Sequence, residues 1–202
     1  MILTHGVNGM GMGGDGNTVT IGGRSYPVVT IGTQVWLAEN LDWTYRNDLN
    51  INSLGNPSTP AAWYVFRDET TYGYNGAKCG LLYNQYAVEE LNALLPSGWR
   101  VPNQSDFNTL VTFTGGGDNT KRALCGSWDA SWDVYCYDGD PYGFNWLPAG
   151  SYYDGEFGYV GQEAVLWSIT SRIRFITGSG TSTAINDRDS NRGHPIRLIY
   201  EA

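Results

Sequence analysis

The side chains best suited to contact chemistry lie between Ser168 and His194, in the run SITSRIRFITGSGTSTAINDRDSNRGH. Ile169 and Ile176 are apolar, Arg172 and Arg174 carry forked donors, and Ser179, Thr181 and Asn186 are small and polar. Asp187, Asp189 and His194 add charge or titratable nitrogen. Turned outward, such a mixture suits adaptable contacts of the kind binding loops make. The run also lacks Lys, Glu, Gln, Met and Trp, although 24 residues of those types stand elsewhere in the chain. Every residue type in it can be encoded by a codon ending in a pyrimidine. Asparagine codons whose adenines are randomised under a fixed third base give that result. A surface drawn this way would bind something that changes. The competing reading is an ordinary polar β-region, with Phe175 to Ala184 a simple hairpin.

Other constellations carry less. For catalysis, His5 lies in a glycine-rich arm and His194 in the biased run, neither beside a Ser or Cys in a known nucleophile arrangement. There is no phosphate-binding loop and no dinucleotide fingerprint. The chain is therefore not expected to be an enzyme. Asp129, Asp133, Asp138 and Asp140 cluster around Cys136, with Asp118 upstream. Oxygen-rich loops suit calcium, but no D-x-D-x-D-G loop with a closing Glu is present, and Tyr137 to Asp140 also reads as a turn. No cofactor is expected, with calcium the one ion left open. Cys79, Cys125 and Cys136 match no common zinc spacing, and read as buried thiols or as one bridge plus a spare. Tyr152, Tyr153, Asp154, Glu156, Phe157 and Tyr159 make an aromatic and acidic loop, either a rim to a ligand site or the packing a Gly-rich fold needs.

The elements that must position these residues follow from composition and pattern. With 202 residues the chain fits one domain with a sizeable core. Its 27 Gly, 14 Tyr and 8 Trp favour short strands, turns and aromatic packing over helix bundles. A net charge of −8 without a basic stripe argues against nucleic acid. No stretch approaches the roughly 20 apolar residues that span a bilayer, and the N-terminus has no leader pattern. Residues 1–17, with six glycines, read as an arm, and 18–202 as the domain. Thr18–Ile21, Gly22-Gly23, Tyr26–Ile31, Gly32-Thr33 and Gln34–Leu37 predict a β-meander. Residues 44–76 read as a long loop. A helix is predicted over Asn84–Leu95 and stopped by Pro96-Ser97-Gly98. A second starts at Ser105 as N-cap and ends at Gly115-Gly116-Gly117. After Asp118 only short strands and loops are expected. Two helices, short strands and long loops make the class α+β.

Seven blocks in order carry a family resemblance. They are Val35–Leu41 (VWLAENL), Gly80–Asn84 (GLLYN), Leu95–Pro102 (LPSGWRVP) with Asp106–Leu110, Tyr142–Gly150 (YGFNWLPAG), Leu166–Ser168, and Arg192–Leu198 (RGHPIRL). Over residues 28 to 200 they resemble the Fibrobacter succinogenes major paralogous domain, a family related to the C-type lectin-like and formylglycine-generating-enzyme folds. The resemblance implies a C-type lectin-like fold with small antiparallel sheets, two helices and long loops. It also looks like the variable proteins of diversity-generating retroelements, whose randomised C-terminal codons form a ligand-binding face. That implies a receptor-recognition protein diversified over 168–194, with Gly193–Ile199 as a fixed closing strand. Its partner would be a cell-surface protein or glycan, and its setting a phage tail with homo-oligomeric display. The alternatives are a secreted or cell-surface adhesin or structural module of fixed specificity, and an enzyme of the formylglycine-generating fold. One departure stands out: the family often ends in Arg-Cys where this chain has Arg197-Leu198, which leaves the pairing of its cysteines open.

Overall fold

Alternation in the first strands produces the meander. β1 (Thr18–Ile21), β2 (Arg24–Ile31) and β3 (Gln34–Leu37) pair antiparallel in turn. The computed structural model describes residues 18–45, 63–64, 79–127, 132, 139–170, 172–177, 184–187 and 189–201. The expected arm and most of the expected 44–76 loop therefore lie outside the described residues. β4 (Trp63–Tyr64) pairs with β5 (Leu82–Tyr83), and β6 (Trp99–Arg100) follows. β7 (Ser151–Tyr153) and β8 (Glu156–Gly158) form a hairpin whose turn residues Asp154 and Gly155 both have positive φ, as a two-residue type I′ turn requires. β9 (Glu163–Trp167), β10 (Arg172–Thr177) and β11 (Ala184–Asp187) make an antiparallel sheet in the order β11-β10-β9. The last strand, β12 (Ile199–Tyr200), enters the first sheet between β3 and β6, giving the order β1-β2-β3-β12-β6.

The helices are better capped than long. α1 (Gln85–Asn92) starts at Asn84, whose side chain accepts from the Ala87 N–H. α2 (Gln104–Phe113) starts two residues before the expected cap. Asn103 accepts from Ser105 and Asp106, and the Asp106 carboxylate accepts the Asn103 N–H in return. A third helix, α3 (Gly117–Leu124), corrects the expectation of strands and loops after Asp118. Its buried residues are Thr120, Lys121, Ala123 and Leu124, too few large apolar side chains to read as a helical stripe. The glycine triplet ends one helix and begins the next, with Gly116 as N-cap at φ 73°.

Two cores share the central strands. Leu37, Val165, Trp167 and Leu198 pack with Ala87, Val88 and Leu91 of α1. Trp36, Ala164, Leu166 and Ile199 pack with Phe107 and Leu110 of α2 and with Leu124 of α3. Alternate residues of β3, β9 and β12 thus face opposite cores, which is why these strands read as unbroken apolar runs. Trp36, Trp132, Trp146 and Trp167 are all fully buried. Rings of about 150–250 Å² contribute roughly 4–6 kcal/mol each as an upper bound. The fold is mixed α+β, as expected, with three helices among the described residues.

Candidate functional site

The Ser168–His194 segment leaves the core from β9 and returns to it beside β5 and β7. At its entry, the Ile169 N–H donates to Pro102 O at 2.9 Å, and Gln85 Nε2 donates to Ile169 O at 3.0 Å. Gln104 Nε2 lies 2.9 Å from Ser168 Oγ, which is in turn 3.2 Å from Thr170 Oγ1. Both glutamines are first residues of helices, so the rigid N-terminal ends of α1 and α2 hold this root. At its exit, backbone does the holding. Gln85 N–H donates to Ser190 O, Tyr83 and His194 exchange two bonds, and Tyr152 and Gly193 exchange two more, all between 2.8 and 3.0 Å. Gln85 therefore grips both ends, one with its side chain and one with its backbone.

Trp167 ties the two roots together. Its N–H donates to Pro195 O at 3.0 Å, its indole Nε1 to Tyr83 O at 2.6 Å, and its ring meets the His194 ring edge-on at 4.9 Å. Tyr83 is fully buried, and its hydroxyl accepts from Trp43 N–H at 2.9 Å. Burial raises the Tyr83 pKa well above its usual value.

Between the roots the backbone forms the β10–β11 hairpin, hung on β9 with Ile173 opposite Trp167 and Arg172 opposite Asp187. The hairpin of the plainer sequence reading is thus the backbone path, and such a scaffold can carry either reading of its side chains. Of the expected contact residues, Arg172, Arg174 and Ile176 belong to β10, and Asn186 and Asp187 to β11. Asn186 and Asp187 are adjacent strand positions, which belong to opposite faces of a pleated sheet. Ser179 and Thr181 lie outside the described residues. Asp189 is exposed and its carboxylate accepts from Asn191 N–H. Ile169 is half-buried against the α1 core. His194 does not face outward as expected. It is 2% exposed, because its backbone pairs with Tyr83 and its ring stands against Trp167.

Past the exit root, Arg197 closes the site from inside. It is 1% exposed, and its guanidinium donates to Phe144 O, to Asn40 Oδ1 at 2.7 Å and to Asn145 O at 3.1 Å, over the Phe144 ring. Burial pulls its pKa down, while the fields of Asp140 and Glu39 push it back up. Asp140 accepts from the Phe144 and Asn145 N–H groups, so the dipoles of those two residues link carboxylate to guanidinium. Asn40 also donates to Cys79 O at 2.9 Å, joining the 35–41 block to the same network.

The family model of the Fibrobacter succinogenes major domain matches residues 29–199. The chain belongs to that family. No curated protein and no solved structure matches the chain. In this major-domain protein the sequence blocks converge on one frame: VWLAENL supplies Trp36, Leu37 and Asn40, YGFNWLPAG supplies Phe144 and Asn145, and RGHPIRL supplies His194 and Arg197. Leu198, where the family often has cysteine, packs in the α1 core. Cys125 is disulfide-bonded and Cys79 is a buried thiol, matching the bridge-plus-spare alternative, while Cys136 lies outside the described residues.

The structure also brings forward residues that sequence reasoning passed over. Gln85 gave no signal beyond its place at a predicted helix start, and Gln104 stood just before the expected cap Ser105. Of the candidate calcium carboxylates, Asp140 is committed to backbone N–H groups and Asp118 stands in the first turn of α3. Asp129, Asp133 and Asp138 lie outside the described residues. Among the described residues no group of three His, Cys, Asp or Glu is placed to hold a metal, and no helix is long and apolar enough to cross a membrane.

Proposed function

We propose that this protein binds ligands through the Ser168–His194 segment of a C-type lectin-like fold, and that a retroelement diversifies the segment's outward residues. The residues assigned to ligand contact are Ile169, Arg172, Arg174, Ile176, Ser179, Thr181, Asn186, Asp187 and Asp189, with Asn186 on the opposite face of the hairpin from Arg172, Arg174, Ile176 and Asp187. The observation that carries the reading is how the frame holds the segment. Apart from Ser168, the hydrogen bonds from the described frame to both roots engage the segment's backbone: Ile169 N and O, Ser190 O, Gly193 N and O, and His194 N and O. A scaffold that grips backbone lets side chains change without losing the fold. The ligand is a cell-surface protein or glycan, and recognition rests on surface complementarity without catalysis or a cofactor. Display of several copies on a phage tail raises weak single contacts through effective concentration.

Sequencing the 3′ end of the gene from many isolates tests this reading. Codon differences should concentrate between Ser168 and Asp189, where a template carries adenines, and spare Trp167, Gly193 and His194. Differences spread evenly, or absent from the tract, would sink diversification and leave a fixed-specificity adhesin of the same family. One observation favours that second reading: the exposed Tyr153 of the β7–β8 hairpin is covered by the guanidinium of Arg192, at the segment's exit.

A further inference from the structure

Among the described residues, the Arg192 guanidinium has neither a carboxylate nor a hydrogen-bond acceptor against it. It sits over the Tyr153 ring, with Cζ 3.9 Å from the centroid. A planar guanidinium on an aromatic face keeps its N–H donors directed outward in its own plane. Tyr153 is 45% exposed and Arg192 is half-buried above it. Its position is fixed from beneath. Tyr152 and Phe157 turn inward and meet edge-on at 4.9 Å, and Tyr152 exchanges two backbone bonds with Gly193, the neighbour of Arg192. Strand alternation then places Tyr153 outward with its cross-strand partner Glu156. Asp154, Glu156 and Asp189 are exposed nearby in the chain, on the hairpin and at the segment's exit.

The foot of this hairpin is strained. Tyr159 is 56% exposed with φ 60°, a conformation costly for a bulky residue. Gly150 makes it possible to close the chain there, because a Cβ at Gly150 would fall 2.3 Å from Gly158 O. Strain of this kind tends to collect where a surface is used.

We infer that Arg192 and Tyr153 form a fixed subsite for a carboxylated sugar. The guanidinium takes the carboxylate as a two-pronged partner. The exposed Tyr153 ring takes an apolar pyranose face, and its cross-strand neighbour Glu156 accepts a hydroxyl proton. A polyanionic peptide fits less well, since the exposed Asp154 and Glu156 of the hairpin repel a run of negative charge while one cation accommodates a single one. The inference rests on the ligand-binding part of the function proposed above and not on diversification.

The test is an NMR titration of the full chain with methyl glucuronide, against methyl glucoside and acetate, following the Arg192 Nε–H and the Tyr153 ring. Saturable shifts with methyl glucuronide at millimolar levels, about tenfold weaker with either control, are expected. Arg192→Gln and Tyr153→Ala should each lose about tenfold, and Arg192→Lys should not restore the affinity, because an ammonium lacks the planar fork. Tyr153 is exposed and Arg192 half-buried, and thermal melting confirms folding. Should Tyr153→Ala fail to fold, Arg192→Gln alone decides. Equal binding of acetate, tighter binding of a glutamate-rich peptide, or no shift at either group up to about 50 mM overturns the subsite. Such failure leaves the sequencing result untouched, and an even spread of codon differences leaves the subsite standing.

Discussion

The two roots of the 168–194 segment are held by different means. At the entry, glutamine side chains reach from two helix ends to Ser168 and Ile169. At the exit, the chain is woven by backbone pairs between Tyr83 and Tyr152. Side-chain anchors can be removed one at a time by mutation, whereas a backbone ladder yields only when the whole neighbourhood opens. The entry is therefore the adjustable end of the segment and the exit its fixed one.

Removing what joins the roots should have the largest effect. Trp167→Ala empties a fully buried site and cuts the indole bond to Tyr83, so a loss of about 3–5 kcal/mol in chemical denaturation is expected. Alkaline pH attacks the exit through Tyr83, the tyrosine whose pKa burial raises well above its usual value. The folded state raises the Tyr83 pKa, so this contribution is intact below the unfolded tyrosine value near 10. As pH rises above that value, stability falls by about 1.4 kcal/mol per unit until the folded pKa is reached. Tyrosine absorbance should report Tyr83 ionising only with unfolding, and early ionisation in the folded state would contradict its burial.

Gln85→Ala probes the entry alone. It should lower stability by about 1–2 kcal/mol and speed amide exchange at Ile169 well before Gly193 or His194. Equal acceleration at both roots would mean that they are one unit. Ser168→Ala, which strips the Gln104 and Thr170 partners of one hydroxyl, should cost about 1 kcal/mol by the same measurement. Least of all, serine substitutions at Arg172, Arg174, Asp187 or Asp189 should each shift stability by under about 0.5 kcal/mol. Larger losses there would make the hairpin side chains structural and remove the contrast.

Much of the frame was legible because it follows local rules. The meander strands are bounded by Gly22-Gly23 and Gly32-Thr33, as their turn chemistry dictates. The apolar run at 165–167 and the strand-like Ile196, Leu198 and Ile199 around Arg197 signal chain buried against both cores. The start of α2 was misplaced although the sequence held the better signal, Asn103-x-x-Asp106, a reciprocal cap. α3 was missed because three glycines look like an ending and its buried side is small and polar. His194 was misjudged for a long-range reason. A polar residue in a polar tract gives no hint that Tyr83, more than a hundred positions earlier, will pair with it. Gln85 and Gln104 were silent for the same reason, since their partners are met only after folding.

The position of β12 has a consequence for how such a chain is made. Its two residues sit in the interior of the first sheet, between β3 and β6, although they follow the 168–194 tract in the chain. The ribosome thus finishes the 168–194 tract before the sheet can close around Ile199 and Tyr200. A premature stop or a shifted reading frame within that tract deletes or scrambles the strand that completes the sheet. Folding itself then acts as a proofreader, passing chains whose tract was altered in composition and discarding those in which it was broken.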